Sequence, residues 1–197
     1  GPLARDGFIP ISEIEANPLR LDNKMKKMYD EETAEVQEIP VQVPVWVDPV
    51  ARGGTPMCAV LSDAYYKLEG WIADHPDCFP PIVVHITDGE AQDGDPIEFA
   101  EPLRSLATTN GEVLLFNCSL SMLAADKILF PSSLESVPEK LAMDLFKMSS
   151  PLPEPIFQQA SKEFTLSPGA RAFVFNADAV ALVQFLEMGT KAPPNLR

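Results

Sequence analysis

The sequence predicts an α/β fold: three layers, with a doubly wound, mostly parallel sheet carrying helices on both faces. Three observations carry this. Near-continuous apolar runs at 82–87 and 113–118 suit strands covered on both sides. Capped, amphipathic helical segments lie between and after them. The order strand, helix, strand, helix requires crossover connections, and hence parallel neighbours.

Taken in order, residues 1–40 mix Pro10 and Pro18 with charge runs and hold no sustained period. They read as a loop-rich N-terminal segment of the same domain, with a helical turn or two. The domain proper reads as 41–190. At 41–47, Val-Gln-Val-Pro-Val-Trp-Val alternates as a strand with one wet face, and Pro44, which cannot donate to a ladder, sets it at an edge. Gly53-Gly54-Thr55-Pro56 then opens a helix running to about Ala73. Its stripe of Met57, Leu61, Ala64, Leu68 and Trp71 has spacings of 4, 3, 4 and 3. Thr55 reads as its N-cap and Pro56 as its first helical residue.

After the 82–87 strand, Asp95 caps a second helix with Pro96 at its first position and Glu98 completing a capping box. Asn110-Gly111 turns the chain into the 113–118 strand. Residues 119–170 form an excursion far longer than the usual connection of ~2 to 6 residues, with helices expected at 138–148 and 154–164. A strand at 172–175 and a helix capped by Asp178, ending at Gly189, complete the domain. Residues 191–197 read as a tail.

Composition bounds the partners. A chain of 197 residues buries roughly 70% of its unfolded surface, enough for an ordinary core. Its net charge of −14 repels nucleic acid and anionic lipid, and the densest basic stretch, Lys24, Lys26 and Lys27, runs straight into Asp30, Glu31 and Glu32. No apolar run reaches the ~18 to 20 residues that span a bilayer. Three widely spaced cysteines, Cys58, Cys78 and Cys118, form no C-x-x-C pair, which suits a reducing cytoplasm. The start at Gly1-Pro2 suggests a processed or cleaved beginning.

Candidate chemistry sits at the carboxyl ends of the strands, where open parallel sheets bind ligands. Directly after the 82–87 strand, residues 88–95 hold four carboxylates, Asp88, Glu90, Asp93 and Asp95, with no basic residue among them. The cluster reads either as a solvated turn with a helix cap or as oxygen ligands for a hard divalent cation. An EF-hand is excluded, because position six from Asp88 is Asp93 and position twelve is Phe99. Phosphate-loop, dinucleotide and serine-elbow motifs are absent. His85 lies inside a strand and reads as a hydrogen-bonded core residue, His75 as an exposed loop residue, and Cys58 and Cys118 as small core hydrophobes.

Gly53-Gly54-Thr55-Pro56 heading a helix, followed by a strand ending Ile86-Thr87-Asp88-Gly89-Glu90, resembles a von Willebrand factor A (vWA) domain of the bacterial intracellular, TerY-like type. The resemblance runs from about Val45 to Gly189. It implies a Rossmann-like sheet and a metal-ion-dependent adhesion site, with Thr55 as second-loop and Asp88 as third-loop ligand of Mg²⁺. An acidic side chain of a partner protein completes the coordination in that family. The family's D-x-S-x-S motif is missing from this chain, so Mg²⁺ is expected to bind weakly or not at all to it alone, the remaining ligands coming from an upstream segment of the same domain.

The expected function is therefore a non-catalytic, Mg²⁺-dependent protein-binding module in the cytoplasm. It would act in bacterial signalling or stress response, beside kinase and phosphatase neighbours or an AAA+ ATPase. Glu90, Leu129 and Phe130 are expected to touch the partner, the last two because the excursion combines apolar side chains and methionines with six prolines. The alternative is a metal-assisted hydrolase in which Asp88, Glu90 and Asp93 hold a water-activating cation, with no His, Lys or Cys at that rim to assist.

Overall fold

The computed structural model describes residues 7–30, 35–50, 53–120, 126–137 and 140–190. The expected tail at 191–197, the helix start at Pro138 and Met122 of the excursion lie outside them. The chain divides into two compact units, Gly1–Gly53 and Gly54–Arg197.

The first unit holds a short helix α1 (Ile11–Ala16) and two eleven-residue strands, β1 (Arg20–Asp30) and β2 (Glu35–Val45). The strands pair antiparallel from Arg20↔Val45 to Asp30↔Glu35. The indole N–H of Trp46 donates to the carbonyl of Ile14 (2.7 Å) and ties α1 to the foot of the hairpin. This corrects the expectation of a loop-rich segment at 1–40 and of a strand confined to 41–47. Polar residues such as Glu35, Gln37 and Glu38 are tolerated on an exposed ribbon, and the pairing that makes β1 a strand joins residues 5 to 25 positions apart, so no short window reveals it.

The second unit begins with α2 (Met57–Asp74), β3 (Ile82–Thr87) and α3 (Pro96–Ser105). A tight pair of short strands, β4 (Ala107–Thr108) and β5 (Gly111–Glu112), leads into β6 (Leu114–Ser119). The excursion contributes β7 (Ile128–Leu129), a 3₁₀ turn at Leu134–Ser136, α4 (Lys140–Met148) and α5 (Glu154–Ala160). Then follow β8 (Phe173–Phe175) and α6 (Ala179–Thr190). Helix α5 is shorter than expected and gives way to turns before Phe164. No described helix is long and apolar enough to cross a membrane.

The sheet order is β3-β6-β8-β7; β3, β6 and β8 run parallel, and β7 is antiparallel to β8. The fold is thus mixed α/β with a mixed sheet. Side chains alternate along β6 and serve two separate clusters: Leu115 packs with residues of α2, α3 and α4, whereas Leu114, Phe116 and Cys118 pack with residues of α5 and α6. Phe173 and Phe175 join the first cluster and Val174 the second.

Strand β3 departs from its expectation of full cover. It is an edge strand, most of it is half-buried, and Ile86 is 41% exposed. The apolar run describes its composition correctly, but a periodicity argument cannot say how many neighbours a strand has.

Candidate functional site

The rim at the carboxyl end of β3 is built from two loops that interlock through their backbones. Thr87 closes the first: its hydroxyl donates to the carbonyl of Gly89 (2.8 Å) and accepts the Gly89 N–H (3.2 Å), turning the chain at Asp88. In the second loop, Thr55 N–H donates to Gln92 Oε1 (3.3 Å), and Gln92 N–H donates back to the Thr55 carbonyl (3.1 Å). Gly54 lies so close to this pair that a Cβ there would fall 1.9 Å from Gln92 Oε1. A Cβ on Gly89 would stand 3.3 Å from Thr55 Oγ1, so the threonine hydroxyl faces the backbone immediately after Asp88.

Thr55 is not the N-cap of α2, which corrects the sequence reading. Pro56 takes the cap position and makes no side-chain bond. The cap comes instead from Asp93, whose two carboxylate oxygens accept the N–H groups of Cys58 (3.1 Å) and Ala59 (2.9 Å). The Ala59 N–H, with Cys58 in support, holds the Asp93 carboxyl below the usual carboxylate range. Asp95 caps α3 as expected, accepting from Ile97 N–H (3.0 Å).

Two of the four carboxylates are thereby committed to helix amides. Asp88 is exposed, and among the described residues neither it nor the Thr55 hydroxyl has a hydrogen-bond partner. No group of three or more His, Cys, Asp or Glu that could hold a metal occurs among the described residues.

Glu90 lines a cleft of about 360 Å³ with Asp95, Lys140, Asp144 and Lys147 above a floor that includes Met57 and Leu145. Lys140 Nζ lies 3.0 Å and Lys147 Nζ 3.8 Å from the Asp144 carboxylate. Asp144, with Glu90 and Asp95 adding at longer range, raises the Lys140 pKa. The rim therefore has basic neighbours after all. They come from α4, some fifty residues on, where adjacency in sequence gives no hint of them.

His85 is half-buried and bonded as expected. Asn117 Nδ2 donates to Ser149 Oγ (3.0 Å) and to the carbonyl of Leu145 (3.3 Å), which turns its Oδ1 toward His85 Nδ1 (2.8 Å). Ser149 Oγ donates in turn to Leu145 O (2.7 Å). Burial lowers the His85 pKa, and the Asn117 bond opposes that shift. Cys58 and Cys118 are buried core thiols, both pushed up to about 11, chiefly by burial.

Leu129 and Phe130 are not where a partner could touch both. Phe130 is 3% exposed and sits with Phe164 and Phe185 at ring distances of 5.2 and 6.0 Å. Its N–H donates to Phe173 O (2.8 Å), and Leu129, in β7, packs on the same cluster. The apolar pair of the excursion is core, because β7 adds to the sheet and turns these side chains inward. Met148 is likewise fully buried, and Met143 packs against the core.

Compared with known proteins, the chain matches no family profile, no curated protein and no solved structure.

Proposed function

We propose that the chain is a non-catalytic interaction module of the vWA type, a three-layer, doubly wound domain whose rim binds a protein partner through Mg²⁺. One observation carries the reading: the glycine-opened loop before α2 and the turn after β3 converge so that Thr55 Oγ1 faces Gly89, next to Asp88. The two clusters packed on alternate side chains of β6 support the three-layer architecture.

Thr55 and Asp88 fit the metal as two oxygen donors on one rim, neither committed to another group among the described residues. Asp93 does not fit, because both its oxygens accept helix amides. This weakens the hydrolase alternative, which needs Asp93 as a ligand. Two donors fall short of the roughly six oxygens Mg²⁺ takes, so on this reading the rest come from a D-x-S-x-S segment and from the partner's carboxylate. Among the described residues β3 pairs on one side alone, with β6, which supports a place for such a segment at its other edge. The bound cation would supply the positive charge that an acidic partner side chain requires. A bacterial intracellular setting, with a kinase, phosphatase or AAA+ ATPase as neighbour, belongs to the same reading.

The test is an Mg²⁺ titration of the full chain followed by amide chemical shifts. Weak, saturable changes confined to Thr55, Asp88 and Gly89, removed by Asp88→Ala and needed for binding of an acidic peptide, are the expected result. Changes centred on Glu90, Asp95 and Asp144, or peptide binding that persists in chelator, would sink the reading.

A further inference from the structure

The hairpin of the first unit has two unequal edges. Leu19 N–H donates to the carbonyl of Val45 (2.7 Å), so the Val45 backbone turns toward β1. Backbone groups alternate sides along a strand; Val43, Val41 and Ile39 therefore also face β1, while Pro44, Gln42 and Pro40 face away. Two prolines on the outer edge of β2 offer no N–H, and that edge is closed to another strand.

By the register, Arg20, Asp22, Lys24 and Lys26 direct their backbone groups at β2. The N–H and C=O groups of Leu21, Asn23, Met25, Lys27 and Tyr29 then point outward. Among the described residues, β2 is the single strand neighbour of β1, and no proline interrupts β1.

Side chains alternate across the two faces of β1, and each face is mixed: Asn23 and Lys27, the latter 4.0 Å from Glu38, lie among the apolar residues of one, and Asp22, bound to Arg20, and Met28 lie beside the lysines of the other. Leu21, Met25 and Tyr29 share one face and are 52%, 60% and 63% exposed. Lys24 and Lys26 share the other, opposite Val41 and Ile39, and have no ionic partner among the described residues. They belong to the densest basic stretch of a chain whose net charge is −14.

We infer that the outer edge of β1 is a docking site for an extended segment of a partner protein whose side chains alternate between apolar and acidic. The segment adds a third strand to a ribbon that is marginal with two. Its apolar residues lie beside Leu21, Met25 and Tyr29, and its carboxylates beside Lys24 and Lys26. A second copy of the chain is the competing occupant: antiparallel pairing of β1 with itself about residue 24 or 26 sets a lysine against its own copy, whereas pairing about residue 23 sets Asp22 against Lys24, so self-association is an outcome the test reads. The inference does not rest on the metal reading of the Thr55 rim.

The probe is a synthetic peptide alternating valine and glutamate, titrated into the full chain in chelator. Binding should slow hydrogen exchange at the amides of Asn23, Met25 and Lys27. Met25→Pro deletes one outward N–H without touching the β1–β2 ladder and should weaken binding about tenfold, as should Lys24→Glu with Lys26→Glu. A valine–lysine peptide should not bind. Absence of binding, unchanged exchange at those three amides, equal affinity for the valine–lysine peptide, or self-association that excludes the probe would each overturn the inference. The exchange measurement on the unaltered chain decides the matter even if Met25→Pro disturbs the hairpin.

Discussion

Asn117 is the polar centre of the second unit, and replacing it with leucine, close to it in shape, tests how β3 is held. Asn117 is fully buried and joins β3 to α4 through His85, Ser149 and Leu145. The substitution leaves the His85 Nδ1–H without its acceptor and takes one donor from Ser149 Oγ, while Leu145 O keeps the Ser149 hydroxyl. One orphaned buried donor costs about 1 to 3 kcal/mol, and the lesser loss at Ser149 brings the expected total to about 2 to 3 kcal/mol. At ~2 to 4 °C per kcal/mol for a chain of this size, the thermal midpoint should fall by about 5 to 10 °C. Replacing His85 as well should recover part of the loss, because removing both partners costs less than removing one. A histidine titration gives an independent reading: without the Asn117 bond, burial acts unopposed and the His85 pKa moves further down. A midpoint shift under about 2 °C, strictly additive losses in the double mutant, or an upward-moving His85 pKa would refute the network.

The remaining predictions concern acid, core and cap. His85 is held below its ordinary value in the folded chain, so below about pH 6.5 the unfolded state binds a proton that the folded state refuses. Stability should decline as pH falls through that window, and a His85→Gln variant should show a flatter profile by thermal melts. Phe130→Ser removes a ring from the second cluster at a cost of about 3 to 5 kcal/mol, and a drop of roughly 10 °C in the midpoint with partner binding unchanged is the expected outcome. Asp93→Ala strips both acceptors from the first turn of α2, so amide exchange at Cys58 and Ala59 should quicken while the rest of α2 stays protected.

What was legible in the sequence depended on how local the physics is. Asp95 and Asp178 cap the helices that begin beside them, accepting from Ile97 and Ala181, because an N-cap acts within three residues. Strand β3 ends at Thr87 as the apolar run does. The hairpin was not legible: β1 carries Lys24, Lys26 and Lys27, with no apolar run to mark a strand, and its eleven residues pair with eleven of β2. Nor could Phe130 be placed from a proline-rich stretch. Its side chain is turned into the core by the end of β7, where its φ reaches +52°, a backbone conformation that phenylalanine does not advertise.

The candidate rim shows the same division more sharply, and the division bears on its chemistry. Sequence brought Thr55 and Asp88 forward as a pair and gave Thr55 two roles, cap and ligand, which compete for one hydroxyl. A threonine that caps its helix accepts a backbone N–H on its hydroxyl oxygen and has less to offer a cation. In the structure the cap comes from a residue 35 positions beyond Cys58: Asp93 accepts the first amides of α2, and the Thr55 hydroxyl faces Gly89. The same commitment explains why four carboxylates in one loop do not gather into a cation site of their own. Asp93 and Asp95 each satisfy the start of a helix and Glu90 lines the cleft of Lys140, so the loop's acidity is distributed over α2, α3 and α4, and Asp88, one residue before the Gly89 that faces Thr55 Oγ1, is the carboxylate of the four that takes part in neither.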